Sequence, residues 1–321
     1  MIVLTGGAGF IGSCFLKELN DNGISNIIVV DRLGTKNKWK NLRNKKFLRF
    51  FHKDDFRSKI HSGYFKDSID TIIHFGACSS TTENDADYLF DNNLNYSIEL
   101  AEYAERFGLD FIYASSAATY GDGSKGYSDG RFEDLIPLNC YGMTKHLFDM
   151  WILDHDLHKK FTGLKFFNVF GPNEYHKADM ASMVYKSYFQ AKNDGVIRLF
   201  KSNSGDFADG EQKRDFIYVK DVNKIIYNIL NKNHFSGIFN IGTGRAHTWN
   251  ELAKAVFKAL GKKPVIEYID MPEEISSQYQ NFTQAEMHKL KSSSLDVHFS
   301  SLEESVADYI NNHLSQNNPY Y

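Results

Sequence analysis

Tyr141 and Lys145 stand four residues apart, so on a helix both project from one face. A free phenol, with a pKa near ~10, is a poor base at neutral pH, and a neighbouring ammonium favours its phenolate. Ser116, closing the string Ala114-Ser115-Ser116, can bond a reacting oxygen and steer its proton. Taken alone, Ser116 reads equally as a turn or helix-cap serine, and Tyr-x-x-x-Lys pairs are common on surfaces. The run Thr5-Gly6-Gly7-Ala8-Gly9-Phe10-Ile11-Gly12 supplies the context. It satisfies G-x-G-x-x-G from Gly7 and G-x-x-G-x-x-G from Gly6. Glycines there allow a tight turn and close backbone approach to a pyrophosphate, and the following helix N-terminus offers free N–H groups to that anion. Because the run follows a strand-like Ile2–Thr5 and opens a helix, it reads as a dinucleotide site. The combination points to hydride chemistry on a nicotinamide.

Asp31 closes the next strand-like run, 19 residues after Gly12, where an acid bonds the adenosine ribose. It also reads as a solvated carboxylate at a strand end. Arg32, Lys36 and Lys38 follow, a cluster suited to a 2′-phosphate, which favours NADP over NAD; plain Lys/Arg richness gives the same pattern. After a third strand come His74-Phe75-Gly76-Ala77-Cys78-Ser79-Ser80. Small residues there let a loop pass close to a cofactor, or simply pack closely.

The elements that must position these groups alternate. Ile2–Thr5, Ile27–Asp31, Ile69–His74, Asp110–Ser115 and Leu164–Asn168 read as strands, with helices over Phe10–Asn22, Asp85–Phe107 and Tyr141–Leu157. Near-continuous apolar strands alternating with helices predict an α/β fold, a doubly wound parallel (Rossmann) sheet. Beyond residue 169 the pattern loosens. Lys201–Gln212 is polar and loop-like, Arg214–Val219 and Gly237–Gly242 read as strands, and Asp221–Leu230 as a helix. A smaller C-terminal α/β substrate domain is expected, interleaved with the first: residues 1–168 and 215–241 against 169–214 and 242–321.

With 37 Lys+Arg, 40 Asp+Glu and a formal net charge of −3, the chain carries no electrostatic footprint for nucleic acid. Three cysteines, Cys14, Cys78 and Cys140, are too few and scattered for a disulfide framework or metal cluster. No apolar run reaches the roughly 18 residues of a membrane span, and no secretory leader is evident. A cytoplasmic protein without a membrane partner or metal is expected.

These features resemble the extended short-chain dehydrogenase/reductase family, and within it the ADP-heptose 6-epimerases, over nearly the whole chain. The most specific strings are Gly76-Ala77-Cys78-Ser79-Ser80-Thr81-Thr82-Glu83, Asp91-Asn92-Asn93 and Ala114 to Gly121. Phe167 to Pro172 with His176-Lys177, Lys213 to Phe216, and Tyr279-Gln280 with Phe282-Thr283-Gln284 complete the match. The resemblance implies conversion of ADP-D-glycero-D-manno-heptose to its L-glycero epimer by transient oxidation at C6, for the lipopolysaccharide inner core. It implies a homo-oligomer, a pentamer among the possibilities. It implies Tyr141 and Lys177 as the two acid/bases, with Lys145 and Ser116 supporting the tyrosine. From spacing alone, Lys177 is a solvated loop lysine. Lys53 and Asn92 would join the cofactor residues. Asn168, Val169, Phe200, Arg214 and Tyr279 would contact substrate, Arg214 through its diphosphate. Asp179 and Lys186, also assigned to the substrate, depart from the family pattern of a small residue and a histidine.

Three rivals stay open at this point. A 4,6-dehydratase needs an acid beside the tyrosine, and Ala117 and Ala118 cannot serve. A UDP-hexose 4-epimerase shares the core chemistry. A dinucleotide sensor without turnover has no use for Ser116, Tyr141 and Lys145 together.

Overall fold

The structure, a computed structural model, describes residues 1–66, 68–232, 234–276 and 279–321. Its first half runs β1 (Ile2–Thr5), α1 (Phe10–Asp21), β2 (Ile27–Asp31), β3 (Arg49–His52), α2 (Lys53–His61) and β4 (Thr71–His74). There follow α3 (Ala86–Leu89), a π-helical turn, α4 (Tyr96–Phe107), β5 (Asp110–Ser116), α5 (Cys140–Asp154) and β6 (Thr162–Phe166). The second half adds β7 (Asn168–Phe170), α6 (Met183–Asn193), β8 (Ile197–Phe200), β9 (Lys213–Arg214) and β10 (Phe216–Tyr218). Then come α7 (Val219–Leu230), β11 (Gly237–Ile241), β12 (His247–Thr248), α8 (Trp249–Ala259) and β13 (Ile266–Ile269).

Seven of these strands form one sheet in the order β11-β6-β5-β4-β1-β2-β3, every neighbouring pair parallel. β2, β4 and β6 are buried along their whole length, as strands covered on both faces must be. Val3 and Leu4 point to opposite faces. Leu4 joins the core beneath α1 and α7, and Val3 the core beneath α4 and α5. A third core gathers α6, α8 and the helix Leu302–Tyr309. Ala285, Met287 and Leu290 belong to the first core, although they lie in the stretch expected for the smaller unit; they cover the outer part of the large sheet beside Phe239 and Ile241.

Several boundaries differ from expectation for identifiable reasons. The strand read as Leu164–Asn168 divides: Phe167 N–H bonds the Ile241 carbonyl at 3.0 Å, and Asn168 N–H turns to the Asp215 carbonyl at 3.1 Å, carrying β7 onto β10. The strand read as Arg214–Val219 breaks at Asp215, whose buried carboxylate collects N–H groups from Thr243, Gly244 and Ala285 at 2.8, 2.9 and 3.0 Å. α7 accordingly starts at Val219. Asp85 is the cap of α3, accepting from Tyr88 N–H at 2.9 Å, and α4 ends at Gly108 in the left-handed region. α5 stops at Asp154, short of Leu157, because Asp156 turns left-handed. β3, unforeseen, is an edge strand with an exposed Arg49 and a buried Phe51, so its polar content is tolerated. No helix among the described residues is long and apolar enough to cross a membrane.

Candidate active site

The glycines of the first turn are required sterically. A Cβ on Gly6, whose φ is +68°, would meet Gly76 N at 2.6 Å, and one on Gly12 would lie 2.2 Å from the Gly6 carbonyl oxygen. Gly9 N–H closes the turn onto that oxygen at 2.9 Å, and Gly7 packs behind it against Val29. No side chain caps α1, and Gly9, Phe10, Ile11 and Gly12 at its start line a cavity, the arrangement an anion site at a helix N-terminus requires. Behind the turn, Gly76 N–H and His74 Nδ1 both meet Thr5 Oγ1, at 3.1 and 2.7 Å. This polar link fixes the Phe75-Gly76-Ala77 loop against the glycine turn.

A groove of about 580 Å³ runs from Gly6 past Asp31, Arg32, Lys38, Lys53, Gly76, Ala77 and Asn92. Asp31 is buried. Its Oδ2 accepts from Ala8 N–H at 2.9 Å, and its Oδ1 from Arg32 N–H at 2.7 Å and Lys38 Nζ at 2.5 Å. Lys36, His52 and His176 also line the groove. The residues present therefore fit a dinucleotide: a glycine cradle for pyrophosphate, an acid at the ribose position and cations beyond it. Cys78 does not line the groove; its N–H and carbonyl are held by the Asn93 side chain at 2.8 and 2.9 Å. Its part is to fix the loop between Gly76 and Ser79.

The groove shares Gly6, Asp31, Lys38, Gly76, Ala77 and His176 with a second cavity of about 280 Å³. Its lining also includes Gly9, Phe10, Ile11, Gly12, Phe75, Ser79, Ser116, Tyr141, Lys145, Val169 and Lys177. Four elements thus bring Ser116 (end of β5), Tyr141 and Lys145 (first turns of α5), Val169 (β7) and Lys177 (segment Tyr175–Met180) to one space. Asn139 caps α5 by accepting from Gly142 N–H at 2.8 Å, which sets the direction of its first turn. The Tyr141 phenol is bonded to the Ser116 side chain. Ser116 Oγ also accepts from Ala118 N–H at 3.1 Å, so this serine caps the turn after β5 as well as facing Tyr141.

Burial raises the Tyr141 pKa, and the Ser116 bond opposes that rise. The expected influence of Lys145 is not of the direct kind, because its ammonium donates to the Ala114 carbonyl at 2.8 Å. Burial lowers the Lys145 pKa to about 8, with the Asp149 carboxylate opposing. Lys177 is also pulled down by burial against the opposing charge of Glu174. Its Nζ lies 5.6 Å from the Phe10 ring centroid. Sequence reasoning gave His176 no role of its own, yet it lines both spaces; its place beside Lys177 was the available signal.

The remaining substrate candidates lie outside the lining of both spaces. Arg214 is buried, with its guanidinium over the rings of Tyr279 and Trp249 at 5.0 and 5.6 Å. It donates to the Lys213 carbonyl at 2.9 Å, and among the described residues it has no carboxylate partner. Trp249 Nε1 donates to Tyr279 Oη at 2.8 Å, completing an aromatic frame for the cation. Lys186 Nζ donates to the Asp179 carbonyl at 2.6 Å, joining two residues assigned separately. Asn168 is exposed and accepts from Thr283 Oγ1 at 3.4 Å. Phe200 ends β8, in register with Ile269 of β13.

Residues 2–242 match the NAD dependent epimerase/dehydratase family. The ADP-L-glycero-D-manno-heptose-6-epimerase of Nitratidesulfovibrio vulgaris strain DP4 is 49% identical over 322 residues, covering 100% of both chains. The crystal structure of the Helicobacter pylori ADP-L-glycero-D-manno-heptose-6-epimerase is 28% identical with a TM-score of 0.80, covering 97% of this chain and 95% of that one. A UDP-N-acetylglucosamine 4-epimerase from Methanobrevibacter ruminantium M1, 24% identical with a TM-score of 0.82 over 98% of each chain, shares the fold. On the family match and the full-length relative together, the chain belongs to the NAD dependent epimerase/dehydratase family.

Proposed function

We propose that this protein interconverts ADP-D-glycero-D-manno-heptose and ADP-L-glycero-D-manno-heptose, a step toward the lipopolysaccharide inner core, with NADP as cofactor. The observation that carries the reading is the lining of one cavity, against the glycine turn, by both Tyr141 and Lys177. The full-length relative of that name supports the choice of sugar.

A bound nicotinamide dinucleotide supplies reversible uptake of the hydride from C6, leaving a ketone there. Tyr141, bonded to Ser116, takes the C6 hydroxyl proton as that C–H bond breaks. Lys145, held on the Ala114 carbonyl, fixes the face of α5 that presents the phenol. Return of hydride to the opposite face requires the ketone to turn over, which carries its oxygen away from Tyr141. Lys177 then meets that oxygen and supplies the proton that completes the epimeric hydroxyl. Tyr141 has gained one proton and Lys177 lost one, and exchange with water restores both. Desolvation suits Lys177 to this task, since it brings an ammonium closer to neutral-pH proton transfer.

The glycine turn and the Phe75–Ser79 loop would hold the pyrophosphate and nicotinamide portions, with Asn92 and Lys53 along the groove. Asp31 would meet the adenosine ribose. Its carboxylate is already offset by Lys38 and two backbone N–H groups, which supports NADP by easing repulsion of a 2′-phosphate between Arg32 and Lys38. Arg214, buried without a carboxylate partner among the described residues, suits the substrate diphosphate, with Tyr279 and Asn168 against the nucleotide sugar. The proposal includes a homo-oligomer, with a pentamer among its possible forms, and light scattering on the eluting species tests it.

Incubation with ADP-D-glycero-D-manno-heptose, UDP-glucose and a dehydratase substrate, followed by product NMR, tests the assignment. Turnover of the heptose alone is expected. Turnover of UDP-glucose but not the heptose would establish the 4-epimerase instead.

A further inference from the structure

Lys177 sits in an irregular one-turn segment, Tyr175–Met180, interrupted at Ala178 by φ +49° and ψ −121°. A non-glycine residue holds such a conformation when its surroundings enforce it. Lys177 N–H does bond the Glu174 carbonyl locally at 2.9 Å, but that single turn, broken at Ala178, does not explain where Lys177 stands relative to the glycine turn. Asn173, four residues earlier, does.

Asn173 is fully buried, and its φ of +71° lies in the left-handed region that asparagine enters more readily than most residues. Its Nδ2 donates to Ser13 Oγ on α1 at 3.0 Å, and its Oδ1 accepts from Tyr321 N–H at 2.9 Å. Its carbonyl accepts from Asn41 Nδ2 at 3.0 Å and from His176 Nδ1 at 3.2 Å. The same Asn41 nitrogen donates to the Ala8 carbonyl of the glycine turn at 3.0 Å. The Asn41 amide and the Asn173 backbone carbonyl thus join the dinucleotide turn to His176, and the Asn173 side chain ties that junction to α1 and to Tyr321. The tail closes the outer side, where Tyr175 Oη donates to the Pro319 carbonyl at 2.7 Å. The Tyr321 ring carries Lys220 at 4.9 Å.

We propose that Asn173, braced by residues 319–321, is a positioning residue that keeps the Lys177 loop in register with the glycine turn. The inference rests on the acid/base reading of Lys177. An amide is needed because it donates and accepts at once: aspartate retains the acceptor for Tyr321 alone, and alanine retains neither.

The test uses the dinucleotide-loaded protein as Asn173→Ala, Asn173→Asp and a variant lacking residues 319–321, with Lys177→Met alongside. Single-turnover nicotinamide reduction at 340 nm is followed with each of the two heptose epimers separately. For Asn173→Ala, the epimer served by Tyr141 is expected to react close to the wild-type rate. The epimer served by Lys177 is expected to slow about 10- to 100-fold, the scale of an ångström misplacement. Asn173→Asp and the tail deletion should fall between, and amide hydrogen exchange should rise across residues 173–182 but not across α1. Equal slowing of both epimers, or of neither, would overturn the inference. If Lys177→Met slows one epimer while Asn173→Ala and the tail deletion slow neither, the positioning role alone fails. If Lys177→Met slows neither, the acid/base reading fails and takes the inference with it.

Discussion

The two walls of the cavity are held by different physics. Tyr141 stands on the first turn of α5, whose direction follows from one local cap, Asn139, and from packing on the sheet; Phe148 and Ile152 anchor it in the core. Lys177 stands on a loop whose bonds reach far along the chain: Asn173 to Ser13 and Tyr321, and Asn41 to Ala8 and Asn173. Glu174 ties the same loop to Ser182 N–H and Oγ at 2.5 and 2.7 Å. A regular element holds Tyr141, and a polar network holds Lys177, the two residues proposed to carry protons. Changes remote from Tyr141 should therefore be absorbed, whereas changes remote from Lys177 should be felt.

The largest effects come from removing the carriers themselves. Tyr141→Phe and Lys177→Met are each expected to lower kcat for epimerisation by about 10³-fold, within the usual range for positioned general acids and bases. Dinucleotide affinity, read by fluorescence titration, should change little. Full activity in either variant would remove that residue from the mechanism and leave its wall a structural one. The next effect tests the cation outside the cavity. Arg214→Met should raise KM about 10- to 100-fold, the value of charge-assisted bonds to phosphate, with kcat nearly kept. A fall in kcat at unchanged KM would move Arg214 from binding to chemistry.

The same contrast governs what the sequence could convey. Glycine spacing, Asp31 and the Tyr141/Lys145 pair are short-range signals, and they fall on regular elements whose apolar strands are buried on both faces. Lys177 gave no such signal: its position depends on partners 132 and 148 residues from Asn173, which no local pattern encodes. The Asp215 break was hidden for the same reason, since its donors lie 28 to 70 residues onward. The burial of Arg214 had no local signal either, because the Trp249 and Tyr279 rings that cover it come from later segments.

A smaller effect separates the two cofactors. Lys38→Ala should weaken NADP about 5-fold while leaving NAD nearly unchanged, as befits a part-exposed charge contact. Isothermal titration with both dinucleotides reads this directly. Tighter NAD than NADP binding in the unaltered protein would overturn the preference itself, and equal loss for both would confine Lys38 to holding Asp31.

The smallest effect tests the well-protected wall through pH. His74 is buried between Thr5 Oγ1 at 2.7 Å and Ser97 Oγ at 2.9 Å. Ser97 Oγ donates to the Asn93 carbonyl, so it accepts from His74 Nε2–H, and Nδ1 must accept from Thr5. Burial lowers the ring's pKa from 6.5 to about 3, with the Lys145 charge adding to it. The folded state therefore resists a proton that the unfolded chain accepts. The stability due to the neutral ring is complete above pH 6.5 and is lost as pH falls from there toward 3. Its slope is at most about 1.4 kcal/mol per pH unit, the value of one proton. His74→Asn keeps one donor and one acceptor but cannot take up that proton. Urea midpoints between pH 6.5 and 4 should fall less steeply in His74→Asn than in the unaltered protein, by up to one proton's worth of slope. Equal slopes would assign the acid sensitivity elsewhere, with the depressed His176 of the Lys177 loop as the next group to change, and would shift the fragile point from the first wall to the second.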